Sequence, residues 1–307
     1  MKIDEALQRL ETFGNLQLVA NQVVEGFISG IHKSPFRGFS SEFAEHKSFN
    51  TGDSTRHIDW KHFAKTDRLY VKTYEEETNL RCHIIIDNSA SMHYPKVTKQ
   101  TATSYNKLGF SVLAAAALMN LLKRQRDAIG LSVYSDAYEF YAPEKGSDRH
   151  HRMLVAQLEG LLLSDEPKTT QTSQILHEIA EKLKRRSLVL LFTDMFEATQ
   201  DTEKLFEALR HLRYNKHRVV LFHVIDKQKE YAFDFDNTPR RFVDVETGEK
   251  LDVYADSVQT EYKQAVSSYF QELKLQCAKY RISYVAADIN DSIHHILMTY
   301  LTERGGF

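Results

Sequence analysis

The sequence predicts an α/β fold: a doubly wound, mostly parallel six-stranded sheet preceded by an α+β extension. Three observations predict it. Short apolar, β-branched runs recur along the chain, as in "HIIID", "AIGLSVYS", "SLVLLFTD", "RVVLFHVI" and "ISYVAAD". Near-continuous apolar strands of this kind belong to parallel sheets covered on both faces. The stretches between them carry apolar residues at helical spacing. One strand, "AYEFYAP", follows its predecessor after a tight turn at Ser135–Asp136 and should pair antiparallel at an edge.

Taken in order, residues 4 to 29 read as helix broken near Gly14, with an apolar stripe of Leu16, Leu18, Val19, Val23 and Val24, then Phe27 and Ile28, and a stop at Gly30. Short strands are expected around Phe39 to Phe49. "NTGD" is a turn, and Asp53 or Ser54 can cap a short helix carrying Ile58, Trp60 and Phe63. "RLYVKTYEEE" alternates like a strand. These elements form the extension, residues 1–79; the sheet body takes 80–307. The apolar run "GFSVLAAAALMNLL", between Lys107 and Lys123, lies in a helix from about Asn106 to Arg126. It is too short to span a bilayer and reads as a buried helix, its alanines allowing close approach to a sheet. "RRFVDVETGEKLDVYA" reads as a hairpin around Thr247–Gly248, an insertion near 240–254. A long helix follows, about Ser257 to Tyr280, then the last strand and a closing helix from Asp291 to about Glu303.

Composition narrows the function. The 307 residues are 42% hydrophobic and 27% charged, typical of a globular protein. A formal net charge of −2 gives no global attraction to nucleic acid or anionic membrane. The basic run Lys182, Lys184, Arg185 and Arg186 reads as a solvated helix end. The acidic start "MKIDEALQRLE" has no apolar signal core, and Cys82 and Cys277 read as reduced core thiols, which together point to the cytoplasm. No phosphate-binding Gly-x-x-x-x-Gly-Lys-Ser/Thr loop, nucleophile-elbow Gly-x-Ser-x-Gly or dinucleotide Gly-x-Gly-x-x-Gly is present. The pairs His150–His151 and His294–His295 lack metal-type spacing and read as exposed helix residues.

The chemistry concentrates in "RCHIIIDNSASM", Arg81 to Met92. A buried strand ends abruptly in Asp87, Ser89 and Ser91. Open α/β sheets place ligands at the carboxyl ends of their strands. One carboxylate and two hydroxyls within five residues suit a hard divalent cation. The same residues are also ordinary turn and cap residues. Two further groups belong on the same edge: Asp194, ending "SLVLLFTD", and Thr172, in the loop before the preceding helix. Thr169 and Thr170 compete for the place of Thr172, which can also be a helix cap. With Asp87 joined only by Asp194, a two-metal phosphatase or nuclease would be poorly supplied. That enzyme and a metal-free scaffold remain the rival functions.

This arrangement resembles a von Willebrand factor type A domain over roughly Leu80 to Phe307, and the five residues resemble its metal-ion-dependent adhesion site. The Gly52–Asp53, Arg56, Ile58–Asp59–Trp60 spacing and the run Tyr74 to Thr78 are similar to the bacterial family catalogued as domain of unknown function fifty-eight. Its members are often encoded beside MoxR-type AAA+ ATPases. The resemblance implies Mg²⁺ or Mn²⁺ held by Asp87, Ser89, Ser91, Thr172 and Asp194. It also implies a non-enzymatic role: binding an acidic residue of a partner, with a MoxR-type ATPase or its client as that partner. An acid of the chain itself, Glu75, Glu76 or Glu77, could fill the same position.

Overall fold

A computed structural model describes residues 16–30, 45–48, 60–67, 69–73, 80–97, 100–101, 104–163, 172–184, 186–195, 202–236, 238–243, 250–293 and 296–297. The chain forms two compact units, residues 33–79 and residues 1–32 with 80–307.

In the larger unit, six strands form one sheet: β3 (Arg81–Asp87), β4 (Ala128–Tyr134), β5 (Tyr138–Lys145), β6 (Leu188–Thr193), β7 (Arg218–Ile225) and β10 (Ser283–Asp288). Their spatial order is β10-β7-β6-β3-β4-β5. All pairings are parallel except β4 with β5, which is antiparallel. The tight turn at Ser135–Asp136 thus does what the sequence requires. The central strands β3, β6 and β7 are buried nearly end to end, whereas the edge strands β5 and β10 alternate. The chain reverses direction from β3, running to β4 and β5 on one side and to β6, β7 and β10 on the other. A crevice at the carboxyl ends of β3 and β6 follows from that reversal. This is the α/β, von Willebrand factor A-like architecture.

Helix α3 (Lys107–Arg124) is the central helix. Asn106 caps it by accepting from the amide of Gly109 at 2.8 Å. Every residue from Lys107 to Leu122 is buried. A helix covered on all sides needs a second layer, and helix α1 (Leu16–Gly30) packs against it. Leu16, Val19, Ala20, Val23 and Val24 bury completely or nearly so, each large one contributing about 1.5–3 kcal/mol. Helix α4 (Asp148–Leu161) packs against α3 as well, while α5 (Thr172–Lys182) and α6 (Thr202–Tyr214) pack against each other. The last two bury Ile175, Leu176, Ile179, Leu205 and Leu209 in one cluster with Ile85, Val189 and Leu191 of the sheet. Helix α7 (Ala255–Lys279) precedes β10. The hairpin insertion is a separate antiparallel pair, β8 (Pro239–Val243) with β9 (Lys250–Tyr254). Its turn, the start of the first helix before Leu16 and most of the closing helix lie outside the described residues.

In the smaller unit, β1 (Glu45–Ser48) pairs antiparallel with β2 (Tyr70–Thr73). Helix α2 (Trp60–Thr66) lies between them in sequence. His62 meets the ring of Tyr70 edge-on at 4.9 Å, and Trp60, 61% exposed, meets Phe63 likewise at 6.1 Å. Asp53, Arg56 and Glu75 to Glu77 lie outside the described residues.

Cys82 and Cys277 are buried free thiols, as expected. His150 and His151 are not exposed as the sequence suggests: they are 7% and 4% exposed. The Nε2–H of His150 donates to the Ile129 carbonyl at 3.0 Å, which places its ring between α4 and the sheet, whereas His151 turns toward α1 and α3.

A buried polar cluster explains one glycine. His83 lies between Glu144, 2.7 Å from its Nδ1, and Ser132, 2.7 Å from its Nε2. A Cβ on Gly130 would stand 2.5 Å from His83 Nδ1 and 2.9 Å from the Ala142 carbonyl oxygen. The ring is held at both nitrogens and cannot retreat. Gly130→Ala is therefore expected to destabilise by about 1–3 kcal/mol, although glycine-to-alanine changes at open positions stabilise. Urea unfolding checks this; an unchanged midpoint would show that the ring can move aside.

Candidate functional site

The described site residues gather at the carboxyl ends of β3 and β6. Asp87 is the last residue of β3 and is buried. Its Oδ1 accepts from the amide of Ser89 at 2.9 Å. Its Oδ2 accepts from the hydroxyls of Thr193 at 2.7 Å and Tyr134 at 3.3 Å. The carboxylate is thus fixed from three sides. Ser89 and Ser91 flank the start of a short 3₁₀ turn, Ala90–His93, with their hydroxyl oxygens 3.1 Å apart. Asn88 points away: its amide donates to Glu139 at 2.9 Å and 3.2 Å, and its Oδ1 accepts from His93 at 3.1 Å.

Asp194 follows β6 and is fully buried. Its carbonyl accepts from His223 Nε2–H at 2.9 Å, and the Tyr284 hydroxyl donates to the other ring nitrogen at 2.7 Å. Burial holds this ring's pKa down at about 4, so it is neutral. The next residue, Met195, has φ 56°, a left-handed conformation that a bulky side chain seldom takes. Two bonds hold it there: its amide donates to Thr193 Oγ1 at 3.0 Å, and its carbonyl accepts from the Tyr269 hydroxyl at 2.5 Å. Thr172 begins α5, is buried, and reaches the hydroxyl of Tyr134. Tyr134 therefore links Thr172 to Asp87. Thr169 and Thr170 lie outside the described residues.

Electrostatics register the closeness of the two aspartates. Burial and the nearby charge of Asp194 push Asp87 from 3.8 up to about 6. The charge facing Asp194 from its other side is Lys107. Its Nζ donates to Asp194 Oδ2 at 2.8 Å and to Glu230 Oε1 at 2.5 Å. Lys107 is entirely buried, yet its two carboxylate partners outweigh desolvation and raise its pKa. Glu230 belongs to a π-helical turn, Lys227–Tyr231, and its Oε2 accepts from the Asp226 amide at 2.8 Å. Turns of this kind are rare and recur at functional sites.

The sequence reading missed Lys107, Thr193, Tyr134 and Glu230. Lys107 left one trace, a charge opening a helix that is otherwise uncharged through Leu122. Glu230 left none, because nothing in "DKQKEY" announces a π turn.

The donor set has the chemistry a small divalent cation takes, although the Lys107 ammonium already holds Asp194 Oδ2. Two carboxylates and three hydroxyls are hard oxygen ligands. Asp194 and Glu230 share the one ammonium of Lys107, and with Asp87 ionised as well the three carboxylates leave two negative charges uncompensated. Asp87 Oδ2 already accepts two protein donors and Oδ1 accepts one, so Oδ1 is the oxygen with a lone pair left for an ion or a bridging water. No group of three or more His, Cys, Asp and Glu residues that could hold a metal occurs among the described residues, so an ion here depends on the hydroxyls.

Fold and site together define a von Willebrand factor A-like α/β protein whose strand ends carry a buried cluster of carboxylates and hydroxyls. The chain belongs to the family described as "Protein of unknown function DUF58", which matches residues 45–271. An uncharacterized protein of Mycobacterium tuberculosis is 26% identical over 140 residues, 45% of this chain and 42% of that protein. The chain thus spans under half the length of this relative. Among solved structures, BatB of Bacteroides thetaiotaomicron aligns over 74% of this chain and 98% of its own, with 14% identity and a TM-score of 0.43. The VWA domain of SpRpn10 aligns over 47% and 75%, with 12% identity and a TM-score of 0.32. The fold class rests on the sheet order rather than on these distant alignments. No described helix is long and apolar enough to cross a membrane.

Proposed function

We propose that this protein is a metal-dependent interaction module that binds an acidic residue of a partner protein. Ser89, Ser91 and Thr172 would hold Mg²⁺ or Mn²⁺ through hydroxyl oxygens, with Asp87 and Asp194 acting directly or through water. An ion so held would offer an open coordination position to a carboxylate. The observation that carries this reading is the convergence of Asp87 and Asp194, close enough for one to shift the other, beside the paired hydroxyls of Ser89 and Ser91. The family's association suggests a MoxR-type AAA+ ATPase, or its client, as partner: the ATPase would supply energy, and this chain recognition. No catalytic role is assigned to these residues, and the proposed setting is cytoplasmic.

Lys107 favours a second reading, a metal-free scaffold. Its ammonium already balances Asp194, so the aspartates and serines could serve only to hold the turn. Titration calorimetry with Mg²⁺ and Mn²⁺ on the chelated chain separates the two. The wild type is expected to bind one ion and Ser89→Ala/Ser91→Ala none. Pull-down of the ATPase should then weaken at least tenfold in EDTA and in the same variant. Ion binding unchanged by the double substitution, or pull-down indifferent to chelation, would overturn the proposal. Turnover of simple phosphoesters lost in Asp87→Ala would revive the enzyme.

A further inference from the structure

Away from the strand ends, α1, α3 and α4 border a pocket of about 470 Å³. Its charged lining is wholly cationic: Lys123 and Arg124 from the last turn of α3, and Arg152 from α4. Carboxylates meet two of these from the surface. Asp148, its side chain 77% exposed, lies 2.9 Å from Lys123, and Glu25 lies 4.0 Å from Arg124. Arg152 makes no ion pair among the described residues. Amides supply the rest of the polar lining. Gln17 Nε2 donates to Asn120 Oδ1 at 2.6 Å, and Asn120 Nδ2 donates to Asn21 Oδ1 at 3.2 Å. His151 also lines the pocket; it is nearly fully buried, and its Nε2 has no hydrogen-bond partner among the described residues. Burial, then the charge of Lys123, holds its pKa down at about 4, so the ring is neutral at pH 7.

Three cations at one mouth, two of them forked guanidiniums, suit the several oxygens of a phosphate. The amides bond to one another and the rest of the accessible lining is mostly apolar, which with the neutral imidazole suits an organic ring beyond the phosphate. The volume falls within the range of small-molecule sites. We infer that this pocket binds a phosphate-bearing small molecule of about nucleotide size, its phosphate held by Lys123, Arg124 and Arg152. The site is independent of the Asp87 pocket, so either can fail alone.

Calorimetry on the untagged full chain tests it, with inorganic pyrophosphate and AMP as probes. Saturable binding of one equivalent is expected. It should weaken at least tenfold in Arg152→Ala and in Lys123→Ala, both exposed positions, and remain unchanged in Ser89→Ala/Ser91→Ala. Asp148→Asn removes the competing carboxylate and should tighten binding. Vesicles containing phosphatidic acid distinguish the source: capture reversed by pyrophosphate assigns the site to a lipid headgroup, and no capture assigns it to a soluble phosphate. Absence of saturable binding to both probes, or binding that Arg152→Ala and Lys123→Ala leave intact, overturns the inference.

Discussion

Lys107→Met is expected to destabilise the protein by about 3–5 kcal/mol, measured by urea unfolding at pH 7. The substitution keeps an unbranched side chain, one atom shorter, and removes the ammonium together with its two hydrogen bonds. Asp194 and Glu230 would then stand buried without their shared ammonium. Breaking a buried pair by deleting one partner costs this much because the survivor keeps an uncompensated charge. Here two survivors are left. The origin of the loss can be checked by neutralising them: Lys107→Met/Asp194→Asn/Glu230→Gln should recover a large part of the stability. A loss below about 1 kcal/mol in the single variant would mean that water or another cation reaches the cluster.

The second large effect concerns pH. Asp87 titrates near 6 in the native chain against 3.8 for an ordinary aspartate. Between those values the folded state holds a proton that the unfolded state has lost. Stability therefore falls as pH rises from about 4 through 6, by on the order of 3 kcal/mol in the chelated protein. Asp87→Asn keeps the shape and removes the titration. The difference in unfolding free energy between wild type and this variant should grow in the variant's favour across that window and level off above pH 7. A difference that stays flat with pH, or grows in the opposite sense, would refute the assignment. Comparing the two proteins cancels the other groups that titrate in the same range.

Much of the fold was legible because its determinants are local. The apolar strands, Ser135–Asp136 and the serines after Asp87 each declare themselves within a few residues. Asp194 was legible for the same reason, as the first charged residue after an apolar run. The partners of the site were not. Lys107 is separated from Asp194 by three strands and two helices, and its burial depends on finding two carboxylates rather than on its own neighbours. His151 was misread because a polar pair on a helix looks solvated until a second helix is laid across it. Tyr134 illustrates the middle case: it ends a strand of evident character, yet its role as a bridge between Thr172 and Asp87 needs the register of β3 against β4, where Asp87 lies opposite Tyr134.

The covering of α3 by α1 bears on how the protein can be dissected. Every strand of the large sheet lies after Leu80, so a fragment starting there would look whole on a topology diagram. It would nonetheless lack one wall. Leu16, Val19, Val23 and Val24 come from before the smaller unit in sequence, and without them the outer side of the central helix would meet water. The folding unit is therefore discontinuous along the chain, and a sound truncation must retain that early segment or replace its apolar stripe.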